Sequence, residues 1–241
     1  MNYHWHWDVF LQTSSDYGLP YWLLFLRGIG WTLLLSCGSW VIAVCVGSIV
    51  GIMRTMSNSF ARIFSLCFVQ FFRGIPLLVQ MFLWYFILPQ LVPPLKAWVT
   101  HADTLLVQFV LATVCLGLYT SARVSEQVRS GIDSLSNGQM NAAKALGLSF
   151  FQSYAHILLP QAYRIILPPL TSETMNLIKN TSIAMTIGMA EITFRARETG
   201  ETTFAYFEAF TVATLAYVLI ALIANYVSDA LSRRSKFSRF M

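Results

Sequence analysis

The chain has 241 residues, of which 56% are hydrophobic, 15% aromatic and only 11% charged, with a mean hydropathy of +0.59 and a formal net charge of +5. The charged share is less than half the roughly 25% typical of soluble domains, which excludes an ordinary soluble globular protein. The basic residues stand at the ends of apolar runs rather than on one face, so the positive balance points to a cytoplasmic membrane face and not to nucleic acid.

In chain order, the segment from Met1 to Asp16 is polar and aromatic, without the basic start, short apolar core and small-residue cleavage site of a signal peptide. No cleaved leader is expected. His4 and His6 alternate with Trp5 and Trp7, a pattern of the membrane interface rather than a metal site. Apolar runs then predict five helical spans, at about 22–53, 61–90, 104–130, 163–190 and 204–231. The expected fold is all-α: one polytopic transmembrane domain over residues 1–241, interrupted by a polar segment at about 131–162.

In the first span Ala43, Gly47 and Gly51 recur every fourth residue, which predicts a seam where a neighbouring backbone approaches closely. Trp22, Trp31, Trp84, Tyr85 and Trp98 gather toward one boundary, and Pro89, Pro93 and Pro94 close the second span. Cys37, Cys45, Cys67 and Cys115 all fall in apolar runs and read as small packing residues.

With the N-terminus outside, the inner side carries Arg54, Arg62, Arg129, Lys144, Arg164, Arg233, Arg234, Lys236 and Arg239, against Arg27, Lys96, Arg195 and Arg197 outside. That asymmetry predicts an outer N-terminus and a cytoplasmic C-terminus. Arg73, Arg123 and Lys179 lie within spans, where a charge costs at least about 2.5 kcal/mol unless it meets protein or water. For Arg73, placed near the middle of the second span with Pro76 loosening the helix after it, a brace between helices is favoured over ligand contact, with Glu126 or Glu173 as partner. Arg123 stands at i, i+3 from Glu126, so an internal salt bridge on the third span competes with substrate contact.

Within the polar segment Ala142, Ala143, Leu146 and Phe150 make a modest apolar stripe on a short helix that Gly147 ends or bends, and Leu159-Pro160 redirects the chain toward the fourth span. By pattern alone this is either a docking knob on the inner side or a plain interfacial linker. The spacing Asn141-Ala142-Ala143, Gly147, Ile157, Leu159-Pro160 resembles the EAA motif of ABC-importer permeases, with Asn141 where that motif usually has Glu. The segment FFRGIPLLVQ from Phe71 to Gln80 is similar to the FRGTPLLVQ signature of polar amino-acid permeases. ARVSEQVRSGI from Ala122 is similar to their AYxAEIxRGGI, and NLIKNTS from Asn176 to their LLKDTS.

The resemblance implies the type I ABC-importer permease fold, with residues 139–160 as a coupling helix seated in an ATPase subunit. It also implies a second permease subunit, identical or homologous, two cytoplasmic ATPase subunits and a soluble substrate-binding protein, at the bacterial inner membrane. The chain has no Gly-x-x-x-x-Gly-Lys-Ser/Thr phosphate loop, so ATP and Mg2+ are expected in the partner ATPase and no cofactor in this chain. Arg123 replaces the usual aromatic of the resembled segment and Asn180 replaces Asp. One added positive and one removed negative charge point to an anionic substrate, with Thr181 and Ser182 as hydroxyl donors; the resemblance, nearest to glutamate/aspartate importer permeases, implies glutamate or aspartate. The bland reading of Asn180, Thr181 and Ser182 is a hydrogen-bond cluster between helices. A stand-alone ion-coupled transporter using Arg73, Arg123 and Glu126, and a non-conducting scaffold subunit, are the rival functions.

Overall fold

The structure, a computed structural model, describes residues 3–135 and 137–237. Its elements in order are a 3-10 turn at Trp7–Leu11, then α1 (Tyr21–Thr55), α2 (Ser59–Gly74), α3 (Leu77–Phe82), α4 (Leu88–Leu91), α5 (Pro93–His101), α6 (Thr104–Asp133), α7 (Asn137–Ala145), α8 (Phe150–Ser153), α9 (Leu159–Asn180), α10 (Ile192–Thr203) and α11 (Tyr206–Phe237). A π turn at Leu83–Ile87 joins α3 to α4, and another at Tyr154–Leu158 joins α8 to α9. Among the described residues the all-α expectation holds, with one isolated bridge between Thr13 and Pro20.

Among the described residues three helices are long and apolar enough to cross a membrane: Tyr21–Thr55, Thr104–Asp133 and Tyr206–Ser228. The expected second span is broken rather than continuous. Ile75 takes an extended conformation, as a residue before proline tends to, and separates α2 from the pair running Leu77–Leu91, which together would make a fourth span. The expected span at 163–190 is also corrected. Its helix stops at Asn180 and passes into a 3-10 turn, Thr181–Ile187, and with its charged residues, Gln161, Asn176 and the Pro168-Pro169 pair it is less apolar than the three long helices.

Both π turns stand immediately before a Leu-Pro pair. The N–H of Leu88 bonds to the Leu83 carbonyl, and that of Leu159 to the Tyr154 carbonyl, each five residues back. Proline has no N–H to give and its ring crowds the carbonyl four residues earlier; the widened turn accommodates both effects. Leu159-Pro160 therefore does not redirect the chain as expected, because the helix runs on through it.

The chain divides into two compact units. In the first, Met1–Ser39, Leu77–Leu116 and Leu177–Leu222, the start of α1 packs on α6, where Ser39 Oγ donates to the Thr113 carbonyl at 3.1 Å. Glu191, fully buried, caps α10 by accepting from the N–H groups of Thr193 (3.0 Å) and Phe194 (2.9 Å), and also takes the Tyr217 hydroxyl.

The second unit comprises Trp40–Pro76, Gly117–Asn176 and Ile223–Met241. Its core gathers Ala43 from α1, Val124, Val128 and Ile132 from α6, Tyr154 and Leu158 from the π turn, and Ala162, Ile166 and Leu170 from α9. The glycine seam lies here as expected. A methyl group on Gly47 would stand 2.7 Å from Val124 Cβ, and one on Gly51 2.8 Å from the Ser125 carbonyl oxygen, so only glycine permits this approach of α1 to α6. Asn58 starts α2 by accepting from the N–H groups of Phe60 and Ala61, and α2 buries Ala61, Ser65, Val69 and Phe72 on one face while Phe60, Ile63, Phe64 and Phe71 face outward.

Candidate functional site

A charged cavity of about 280 Å³ opens in the second unit, lined by Arg73, Tyr119, Arg123, Glu126, Gln127 and Glu173. Tyr119, Arg123, Glu126 and Gln127 share one face of α6 through i, i+4, i+7 and i+8 spacing. Arg73 comes from the last turn of α2 and Glu173 from α9.

Glu126 is the hub of this cluster. It pairs with Arg54 from the last turn of α1, accepts from Arg129 Nε at 3.3 Å, and lies 3.6 Å from Arg73 Nη1. The Arg54 side chain is 11% exposed whereas that of Arg73 is 55% exposed, so Arg54 is the committed partner and Arg73 the loose one. Arg73 stands in the last turn of α2, two residues before the break at Ile75, which falls near the middle of the expected second span. Its partner is Glu126, one of the two expected.

The i, i+3 bridge between Arg123 and Glu126 is not formed. Side chains on a helix lean toward its N-terminus, so Arg123 reaches back to donate to the Tyr119 hydroxyl at 3.3 Å, with its guanidinium carbon 5.5 Å from the ring centre, while Arg129 in the same way reaches back to Glu126. Arg123 Nη1 instead faces Glu173 Oε2 at 3.9 Å, an ion pair beyond hydrogen-bond reach. In all, Arg54, Arg73, Arg123 and Arg129 surround Glu126 and Glu173, and Arg123, 42% exposed, keeps open capacity toward the cavity.

Asn180, Thr181 and Ser182 belong to the first unit, where α9 passes into the 3-10 turn. The Thr181 hydroxyl donates to the Ile178 carbonyl and that of Ser182 to the Lys179 carbonyl, both at 2.7 Å, which is local helix-end bonding. Asn180 is half-buried.

The segment 139–160 is built from two stops in succession. The N–H of Leu148 bonds back to the Ala143 carbonyl (3.1 Å) and that of Leu146 to Ala142 (3.0 Å), closing α7 around Gly147 at φ 75°, a left-handed position that suits glycine. Ser149 then opens α8 with a reciprocal capping box to Gln152. Ala143 is fully buried, Ile157 and Leu159 half-buried, and Asn141, Ala142 and Pro160 exposed. Leu146 and Phe151 project, at 77% and 80% exposure.

Sequence reasoning missed the role of Arg54, read only as an inner-side charge, and of Tyr119 and Gln127. The signal for Tyr119 was its i, i+4 spacing to Arg123; nothing local marked Arg54, whose contact with Glu126 depends on the glycine seam.

The match to known proteins is extensive. Residues 43–237 fit the family of binding-protein-dependent transport system inner membrane components, and the chain belongs to it. It is 42% identical over 236 residues, 97% of this chain and 96% of the relative, to the glutamate/aspartate import permease protein GltJ of Escherichia coli K12. It is 32% identical to the probable glutamine ABC transporter permease protein GlnM of Bacillus subtilis, covering 88% of this chain and 93% of that protein. The arginine transport system permease protein ArtQ of Bacillus subtilis is also 32% identical, at 88% and 92% coverage. A crystal structure of an amino acid ABC transporter with histidines superposes with a TM-score of 0.71 at 27% identity, covering 89% of this chain and 95% of that one. The inward-facing MetNI methionine ABC transporter shares the fold at a TM-score of 0.73, with 18% identity and 90% and 98% coverage. The protein is thus a multi-pass amino-acid permease subunit of an ABC importer and not itself an enzyme.

Proposed function

We propose that this permease carries acidic amino acids, glutamate and aspartate, and that residues 139–160 couple it to a separate ATPase subunit. The observation that carries the substrate reading is the excess of guanidinium groups around the cavity, Arg54, Arg73, Arg123 and Arg129 against Glu126, Glu173 and Asp133: Arg54 and Arg129 donate to Glu126, which leaves the loosely held Arg73 and Arg123 for an anion. The likeness to a protein named as a glutamate/aspartate import permease supports the same substrate class. Asn180 in place of a carboxylate removes a charge that would repel such a substrate.

The working unit in this reading is a pair of permease subunits with two ATPase subunits, which bind ATP and Mg2+, and a soluble binding protein, in the inner membrane with the N-terminus outside and the C-terminus cytoplasmic. ATP binding draws the coupling segments together and hydrolysis resets them, an exchange between two global states with different contacts at each site. The test is uptake into vesicles reconstituted with purified partners. Glutamate and aspartate enter in the presence of ATP and not without it, and glutamine and arginine enter more slowly. Equal uptake of all four overturns the substrate reading, and uptake without ATP overturns the coupling.

A further inference from the structure

We infer that Glu173 is a substrate-binding residue that receives the α-ammonium group of the transported amino acid, while Arg73 and Arg123 take its two carboxylates. This rests on the reading of the cavity as the acidic amino-acid site. An amino dicarboxylate carries one cationic and two anionic groups, and the cavity presents one carboxylate oxygen without a hydrogen bond and two guanidiniums held only by ion pairs longer than a hydrogen bond or by a neighbouring tyrosine.

Three observations single out Glu173. It lines the cavity, whereas its side chain is only 12% exposed. Its Oε2 atom is closed from solvent and has no hydrogen bond, although Arg123 lies near. The Arg123 Nη1 atom stops 3.9 Å away, about 1 Å beyond a charge-assisted hydrogen bond, because Tyr119 holds the guanidinium on its own ring and hydroxyl. A buried carboxylate oxygen left without a donor is costly, and such groups in native proteins have a reason to persist. Glu126 cannot serve in the same way, since Arg54 and Arg129 already donate to it.

An ammonium is the donor that fits. It is a compact cation with three N–H groups, able to meet the Glu173 carboxylate once that group turns toward the cavity it lines, without displacing Arg123 from Tyr119. Hydrogen bonds to charged groups contribute enough to change affinity by about tenfold or more. The rival is purely structural: Arg123 slides onto Glu173 and the pair braces α6 against α9.

The experiment compares binding of L-glutamate and glutarate, which has the same two carboxylates and no amine, to the complete importer in nanodiscs without binding protein. L-glutamine is the third ligand. Wild type binds glutamate at least about tenfold more tightly than glutarate. In Glu173→Gln glutamate affinity falls to that of glutarate, which is unchanged, and Glu173→Asp recovers part of the preference. Equal binding of glutamate and glutarate by the wild type overturns the proposal without any variant. So does an equal loss of both in an assembled Glu173→Gln complex, the outcome expected of a brace. If glutamine binds as tightly as glutamate and Glu173→Gln weakens both, the ammonium role stands and the acidic-substrate reading fails.

Discussion

The Tyr3 hydroxyl donates a 2.7 Å hydrogen bond to Glu208 Oε2, and the main-chain N–H of His6 fills the other oxygen at the same distance. Glu208 is fully buried in the first turn of α11, so one carboxylate ties the N-terminal segment to the start of a membrane helix. Around it the rings of Tyr3, Trp5, Trp7, Phe10 and Phe25 follow one another at centroid spacings of 5.3, 5.2, 6.3 and 5.5 Å. Glu208→Ala should release this segment. Hydrogen exchange at the His6 amide should speed up by about tenfold or more, the range for a bond to a charged acceptor. The carboxylate also raises the Tyr3 phenol above its ordinary value. The Tyr3 bond is therefore complete at neutral pH and is lost as pH rises through that raised value, so on the alkaline side the segment should loosen at a pH above the ordinary phenol range.

Gly47→Ala should lower the thermal midpoint of the purified complex by an amount equivalent to about 1–3 kcal/mol, because the added methyl meets Val124 Cβ at 2.7 Å and the Ser121 carbonyl at 2.9 Å. Gly30→Ala is the control. Nothing lies within 4 Å of a methyl group there, so the substitution should be neutral or slightly stabilising through helix propensity.

Removing the anion of the hub has the opposite logic to removing a cation. Glu126→Gln leaves the Arg54 guanidinium, 11% exposed, without its counter-charge, and should cost about 3 kcal/mol of stability in a denaturation series. Arg123→Ala removes a 42% exposed group and should leave assembly intact while uptake of acidic amino acids falls. An equal loss for neutral substrates would mark Arg123 as a brace.

Gly147→Asp places a side chain at φ 75° and should strain the turn by about 1–3 kcal/mol. ATP-driven uptake should drop, and normal uptake in an assembled complex would show that residues 139–160 do not couple.

A membrane-impermeant amine reagent applied to intact cells should modify Lys96 and spare Lys236. Labelling of Lys236 from outside would reverse the orientation.

The long spans were legible because each is an uninterrupted apolar run: about 22–53 against Tyr21–Thr55, and about 104–130 against Thr104–Asp133. The break at Ile75 was half legible, since Pro76 marks it but does not say whether a helix bends or stops. The π turns were not legible at all, because their registers depend on which carbonyl reaches Leu88 and Leu159. At the cavity, Arg73, Arg123 and Glu126 were found as costly charges in apolar surroundings. Arg73 meets Glu126, one of its two expected partners, whereas the Arg123–Glu126 bridge was misjudged because sequence spacing ignores the direction in which helical side chains lean, and Arg54 was missed because it reaches Glu126 through the close packing at Gly47 and Gly51. Asn180, Thr181 and Ser182 were singled out by a motif, and a motif does not show that two of its hydroxyls are spent on neighbouring carbonyls.

Phe151, which projects into the open at one end, and Glu173, which lines the cavity at the other, are carried on a single helical rod from Phe150 through the π turn and α9. The rod spans about 33 Å between them at 1.5 Å per residue. No loop lies between the two to absorb slack. A partner that pressed on Phe151 would be moving a lever whose far arm is the wall of the charged chamber, with the wide turn at Tyr154–Leu158 and the Pro168-Pro169 pair as its soft joints.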